Sequence, residues 1–360
     1  MTRRATLYAA EVSLYSGKVR AYLQYKRVPF DEALPSRDVI ERVLRPRTGV
    51  RMIPVLIDAD DVAVQDTTAI IDHVEATHPE RAIVPETPKQ RFVSQLMELY
   101  ADEWLLMPAM HYRWAYPRHH LLFIAREFGQ LLEPRWPAWT HVFAGLPLVV
   151  YFGLAHGPVL GIDRYTRGSI EAWYEAFLGW FDAHLARYPF VLGARPSLGD
   201  FGLMAPLYAH LWRDPYSGRQ MRRLAPRVAD WVERMRALER GSFGEWLEHD
   251  EIPETLVPIL RHALDEHLPI VRDTWAHLHA WHQANPDLAT LPRFVGRHEF
   301  TIGYTHSTRA VQTYTAWQSQ RTFAAWHALH GRDRRALAEL LGRDLVAALD
   351  FKPPLRLGRS

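Results

Sequence analysis

The sequence predicts an α/β N-terminal domain with the order β-α-β-α-β-β-α, followed by a larger all-helical region and a mostly helical C-terminal extension. Three observations predict it. Over the first 80 residues, short β-prone runs alternate with helical ones; a Pro-rich break follows at RAIVPETP, residues 81–88; and from Lys89 onward apolar residues recur almost throughout at three- and four-residue spacing.

Each element can be read in turn. ATLYAAE reads as a strand, and SGKVRAYLQYK places Val19, Tyr22 and Leu23 on one helical face. VPFDEALP is extended, and SRDVIERVLRP forms a short helix carrying Val39, Ile40, Val43 and Leu44. MIPVLID and VAVQ flank the turn at Ala59-Asp60-Asp61, which makes a hairpin. DTTAIIDHVEATHP opens on Asp and Thr, buries Ile70, Ile71 and Val74, and stops at Pro79.

Beyond the break, Phe92, Leu96, Leu99, Trp104 and Met107 keep helical spacing. Ser197 and Asp200 have the spacing of a capping box ahead of an apolar run. ETLVPILRHALDEHLPIVRDTWAHLHAW reads as a long helix kinked near Pro269. EFTIGYTHSTRAVQTYTAW, rich in Thr and Tyr, suits a hairpin. The expected domains are residues 1–80, a linker at 81–88, a helical domain at 89–249 and an extension at 250–360.

Composition narrows the function. With 48% hydrophobic and 23% charged residues the chain is of ordinary globular type, and 43 basic residues against 41 acidic ones leave a formal charge of +2. No nucleic-acid partner is expected from that balance. The chain has no cysteine, so any sulfur chemistry must use a thiol on the substrate. MTRRATLYAAEVSL lacks the apolar stretch of a signal peptide, and the expectation is a cytoplasmic protein. Residues 136–162 carry no Asp, Glu, Lys or Arg and are long enough to raise a membrane span. Their prolines and glycines favour a buried or interface-forming helix with loops over membrane contact.

Several motifs now combine. SLYSGKVRAYL is similar to a strand-to-helix motif in which Ser or Cys precedes a Pro-aromatic pair and then basic-x-Arg. MIPVL followed by VQDTTAI resembles Val-Pro-x-Leu and Glu-Ser-x-Ala-Ile, and SLGDF resembles a buried Ser/Thr-x-x-Asp box. In this order they resemble the glutathione transferase superfamily, serine-type, over about residues 5–110 and 165–245. The resemblance implies a thioredoxin-like glutathione-binding domain, a helical domain that supplies the pocket for a second, hydrophobic electrophile, and a homodimer. Residues 111–165 then look like an insertion, and Leu14 stands where the family has Pro.

Glutathione attacks as a thiolate, and a thiol of pKa ~8.5 is only a few per cent ionised at neutral pH. Ser13 aligns with the family's Ser or Cys and is the first choice to donate to the sulfur, against the alternative of an ordinary loop serine. Ser16 reads as the N-cap of a helix starting at Gly17. Tyr15 matches the motif's aromatic, with a hydroxyl able to reach the sulfur. The resemblance implies a cis bond at Ile53-Pro54, with the Ile53 backbone pairing the cysteinyl part of glutathione. Asp66 and Thr67, assisted by Gln65, would hold the γ-glutamyl ammonium and carboxylate, and Asp66 also suits a helix cap.

Trp104, Met107 and Trp114, with Met110 and Tyr112, follow the helix that lines the pocket in relatives, a stripe that also suits a core; His111 and Arg113 would add polarity to such a pocket. No metal is expected: His277 and His279 lie two apart on a helix and diverge, and 19 histidines cluster by chance. A second functional reading is a glutathione transferase-like scaffold that binds or assembles without turnover.

Overall fold

The computed structural model of the chain describes residues 4–288 and 290–358. The N-terminal part follows the predicted order. Strand β1 (Ala5–Tyr8) leads to α1 (Leu14–Lys26), β2 (Phe30–Ala33), and the short helices α2 (Arg37–Val39) and α3 (Arg45–Thr48) joined by a π turn. Then come β3 (Val55–Ile57), β4 (Ala63–Gln65) and α4 (Thr67–Thr77). The sheet order is β2-β1-β3-β4, with β1 and β2 parallel and the other pairs antiparallel. That is a small thioredoxin-like sheet with helices.

A large helical region comes next. It comprises α5 (Pro88–Glu103), α6 (Leu106–Ala115), α7 (Pro117–Leu132), α8 (His141–Leu160), α9 (Arg167–Leu185) and α10 (Leu198–Pro206), the last continued by a π turn to Trp212. After α11 (Pro215–Leu224) and α12 (Pro226–Arg236) come α13 (Val257–His262) and α14 (Leu268–Ala284). A π turn joins these two just before Pro269, where the sequence predicts a kink. The predicted hairpin is β5 (Phe294–Ile302) and β6 (Thr305–Gln312), and α15 (Thr313–Ala328), α16 (Gly331–Leu341) and α17 (Arg343–Ala347) complete the chain order.

The chain groups into two compact units that interleave along the sequence rather than following contiguous blocks. The first holds residues 1–83, 112–154 and 203–242; the second holds 84–111, 155–202 and 243–360.

In the first unit, Val19, Tyr22 and Leu23 of α1 and Ile70, Ile71 and Val74 of α4 are buried, as their spacing requires. Leu44, Val55 and Ile57 form a cluster on which Val39, Ile40 and Val43 pack. The β3–β4 turn is held by Asp58, whose carboxylate accepts the N–H groups of Asp60 and Val62 at 3.0 and 2.9 Å. Helix α7 and the first part of α8 pack with their backbones in contact. A Cβ at Gly129 would meet the His141 carbonyl and one at Gly145 the Ala125 carbonyl, so only glycine permits this approach.

Helix α8 is unbroken over His141–Leu160 in spite of Pro147 and Pro158, which corrects the expectation of loops there. Among the described residues it is the helix long and apolar enough to cross a membrane, and little of it is buried. Val149 turns inward while Phe143, Val150, Tyr151 and Leu154 face outward.

The second unit has its own core. Phe92 of α5 meets Trp326 of α15 with ring centroids 5.2 Å apart, and Ile170, Trp173 and Phe177 line the buried face of α9. The Asp200 carboxylate is wholly buried and accepts the N–H and hydroxyl of Ser197 at 2.8 and 2.9 Å and the Val191 N–H at 3.0 Å. Ser197 and Asp200 thus act as a folding cap. The start of α5 is capped from a distant segment: Asp250 accepts the N–H groups of Lys89 and Gln90 at 2.9 and 2.8 Å.

Candidate functional site

Strand register brings the motif segments together in the first unit. Tyr8, at the end of β1, pairs with Val55, the first residue of β3, and Val55 pairs with Gln65, the last of β4. The segments leaving those ends, residues 9–13, 53–54 and 66–67, therefore share one edge of the sheet. The Ile53–Pro54 peptide bond is cis.

Both helices that start at this edge direct their N-termini to it. Helix α1 begins at Leu14 with Ser13 as its N-cap residue, extended at φ −86°, ψ 125°; among the described residues its side chain makes no capping hydrogen bond. Helix α4 begins at Thr67. Its cap, Asp66, accepts the N–H groups of Thr68 and Ala69 at 2.9 and 3.4 Å. Asp66 sits at φ 83°, an unfavourable conformation for a non-glycine residue, and its two cap bonds help hold it there. Helix N-termini carry orphan N–H donors and partial positive charge, so this edge suits an anionic ligand.

Ser16 differs from its expected role. Because α1 starts three residues before Gly17, Ser16 lies inside the first turn, fully buried, and its hydroxyl oxygen accepts the Ala10 N–H at 3.2 Å. It ties down the β1–α1 loop rather than capping the helix. Tyr15 is half-buried in the same turn, Gln65 is half-buried at the end of β4, and Thr67 is buried.

The loop before Ser13 is pinned by charged groups that the sequence reading did not single out. Arg213 donates to the Glu11 carbonyl at 2.9 Å and to the Glu127 carboxylate at 2.8 Å. The Glu11 carboxylate lies 3.0 Å from Arg20 and accepts the Tyr208 hydroxyl. Burial and then Glu11 push the Tyr208 hydroxyl up to about 12, so it remains a donor at neutral pH.

Arg113 is also drawn into this framework. It clamps the Asp214 carboxylate with two bonds of 2.7 Å and donates to the Val12 and Ala209 carbonyls at 2.9 and 3.0 Å. This planar fork, buried on all sides, holds the residue next to Ser13. Arg113 is thus a structural anchor, not the pocket polarity the sequence suggested.

The other pocket candidates divide. Trp104 and Met107 are wholly buried in the second unit, where Trp104 stacks on His267 at 5.4 Å and meets the edge of Phe300 at 6.1 Å. His111 pairs with Glu171 at 2.7 Å in the same unit, and burial pushes its imidazole below the ordinary value. These three pack in a core, which for Trp104 and Met107 was the alternative reading of their stripe and for His111 replaces the expected pocket polarity. Trp114 packs, half-buried, on the cluster of Ala10, Val12, Ile124, Ala125, Phe128 and Val149, which Ile53 also joins. The apolar cluster on which Ile53 packs therefore draws Ile124, Ala125 and Phe128 from α7 and Val149 from α8. Its signal in the sequence was the apolar residues of the segment taken for an insertion.

Comparison with known proteins agrees with this geometry. Residues 7–82 match the family model described as the N-terminal domain of glutathione S-transferase. The thioredoxin-like part of this chain is thus similar to such a domain, and a large helical region follows it. Among solved structures, a glutathione S-transferase from Rhodospirillum rubrum F11 is similar at 16% identity and TM-score 0.43, over 72% of this chain and 98% of that one. The glutathione transferase GSTFuA3 from Phanerochaete chrysosporium is similar at 16% identity and TM-score 0.46, over 67% and 100%. A glutathione S-transferase from Methylobacterium radiotolerans, in complex with glutathione sulfonate, is similar at 17% identity and TM-score 0.40, over 68% and 97%. No curated protein matches the sequence.

Proposed function

We propose that the protein is a cytoplasmic glutathione transferase that activates glutathione as a thiolate for attack on a small hydrophobic electrophile. The observation that carries this reading is the convergence of Ser13 at the start of α1, cis Ile53–Pro54, and Asp66–Thr67 at the start of α4 on one sheet edge. The Ile53 backbone pairs with the cysteinyl part of glutathione. Thr67 and the start of α4 take the γ-glutamyl carboxylate, with Asp66 accepting from its ammonium and Gln65 assisting.

The cysteinyl sulfur then lies toward Ser13, whose hydroxyl donates to it at the positive end of α1. The thiol proton leaves to water. The sulfur pair forms the new C–S bond, and the leaving group departs with its bonding electrons or, in an addition, the acceptor carbon takes a proton. The half-buried side chains of Ile53 and Trp114 suit a hydrophobic acceptor.

Ultraviolet absorbance of the thiolate of bound glutathione against pH tests this. The expected titration lies one unit or more below that of the free thiol, a shift that needs about 1.4 kcal/mol per unit. Bound glutathione with an unshifted thiol would overturn the catalytic reading in favour of the second one, a binding or assembly module.

We place the homodimer surface on the outward face of α8. Charges added at Tyr151 and Leu154 are expected to shift the protein to a monomer in sedimentation; an unchanged oligomer rejects this surface. Val149 is unsuitable for such a test, because it is buried under α7.

A further inference from the structure

A cluster unrelated to the glutathione edge lies in the second unit. Asp273 and His277 are four residues apart on α14 and so share a face, and β5 brings His298 to that face. His298 Nδ1 lies 2.7 Å and His277 Nδ1 3.2 Å from the same oxygen, Asp273 Oδ2. The imidazole rings stand 5.7 Å apart and nearly perpendicular, at 78°. One ligand atom from each residue lies within 4.8 Å of the others.

We propose that Asp273, His277 and His298 bind one divalent cation of the zinc class, with the fourth position open to water. Zinc bonds of ~2.0–2.1 Å in a tetrahedral site put ligand atoms about 3.3 Å apart. The His277–Asp273 separation already fits, once His277 Nδ1 gives up its 3.0 Å bond to the Asp273 carbonyl, and the His298–Asp273 hydrogen bond need open by only about half an ångström. Two imidazoles and a carboxylate suit zinc, copper or nickel rather than calcium or magnesium, which prefer oxygen.

Exposure is graded in the way an open site needs. The His298 side chain is 2% exposed and gives a rigid ligand, while His277 and Asp273, at 37% and 44%, leave a path for ion and water. Arg309, buried and directly across the hairpin from His298, opposes a cation, so the expected affinity is weaker than that of a closed structural site. The ion would tie the hairpin to α14. The sequence discounted His277 because it was weighed with His279; its partners instead lie one helical turn back and on the following strand.

Calorimetric titration of the full-length protein with zinc chloride, without glutathione, tests the assignment. One saturable site is expected, with affinity at least tenfold weaker in His277→Ala and in His298→Gln and unchanged in His279→Ala. His277 is half-exposed, so its replacement keeps the fold, and saturating zinc should raise Tm in the parent protein but not in His277→Ala. No saturable site, or equal affinity in the parent and His277→Ala, would overturn the proposal and leave a hydrogen-bonded cluster alone.

Discussion

Ser13→Ala is expected to lower kcat/KM for glutathione conjugation at pH 7 by about ten- to a hundredfold and to move the titration of the bound thiol up by about one to two units. A hydrogen bond to a charged group contributes roughly 1.5–3 kcal/mol, which sets that range. The sign is fixed by the anion that the hydroxyl stabilises. Donation favours the thiolate, so the bound thiol titrates lower with Ser13 present, and its removal depletes the thiolate most below the parent's titration point. The deficit should shrink as pH rises past both titrations, where either protein holds thiolate. Steady-state rates across pH, with the absorbance titration, read this directly. Tyr15→Phe should change little, because Tyr15 sits half-buried within the first turn of α1. A normal titration in Ser13→Ala together with a raised one in Tyr15→Phe would transfer the role to the tyrosine.

Arg113→Ala is expected to be the most destabilising single change near the site, at about 3–5 kcal/mol by urea denaturation. It strands the Asp214 carboxylate, which is wholly buried, and removes the donors to the Val12 and Ala209 carbonyls. Asp214→Ala should cost a similar amount, and the double mutant much less than the sum, since the second change removes the charge that the first left unpaired. Arg113→Lys should not rescue the loss, because an ammonium cannot bridge both carboxylate oxygens and two carbonyls from one planar fork. Equal stability of the parent and Arg113→Ala would mean that the buried pair is dispensable.

The legible part of the candidate site was the part written in neighbouring residues. Ser13, Ile53-Pro54 and Asp66-Thr67 each stand at a strand-to-helix junction or strand start, where turn and capping preferences act over a few residues. The wrong assignment of Ser16 shows the limit of that logic. Two serines before one helix both satisfy the local rule, and only the backbone path of residues 9–13 decides that Ser13 is the cap and Ser16 the loop tether. Arg113 shows a second limit, since its partner Asp214 is 101 residues away and no local pattern connects them.

By itself, the sequence determined the element order of the thioredoxin-like part, the helical character of the chain beyond residue 88, a hairpin within residues 299–317, of which 313–317 proved helical, and the motif segments, because periodicity and turn chemistry are short-range. Tertiary structure alone decided which charges pin the Ser13 loop, that Trp104 and Met107 are core, that α8 shows an apolar face outward, and that His277 meets Asp273 and His298. The physical reason is that a side chain's burial and its charge partner are set by the groups that fold onto it. For Arg113 and His298 those groups come from elements far along the chain or from a facing helix, and their approach is fixed only when the whole unit packs.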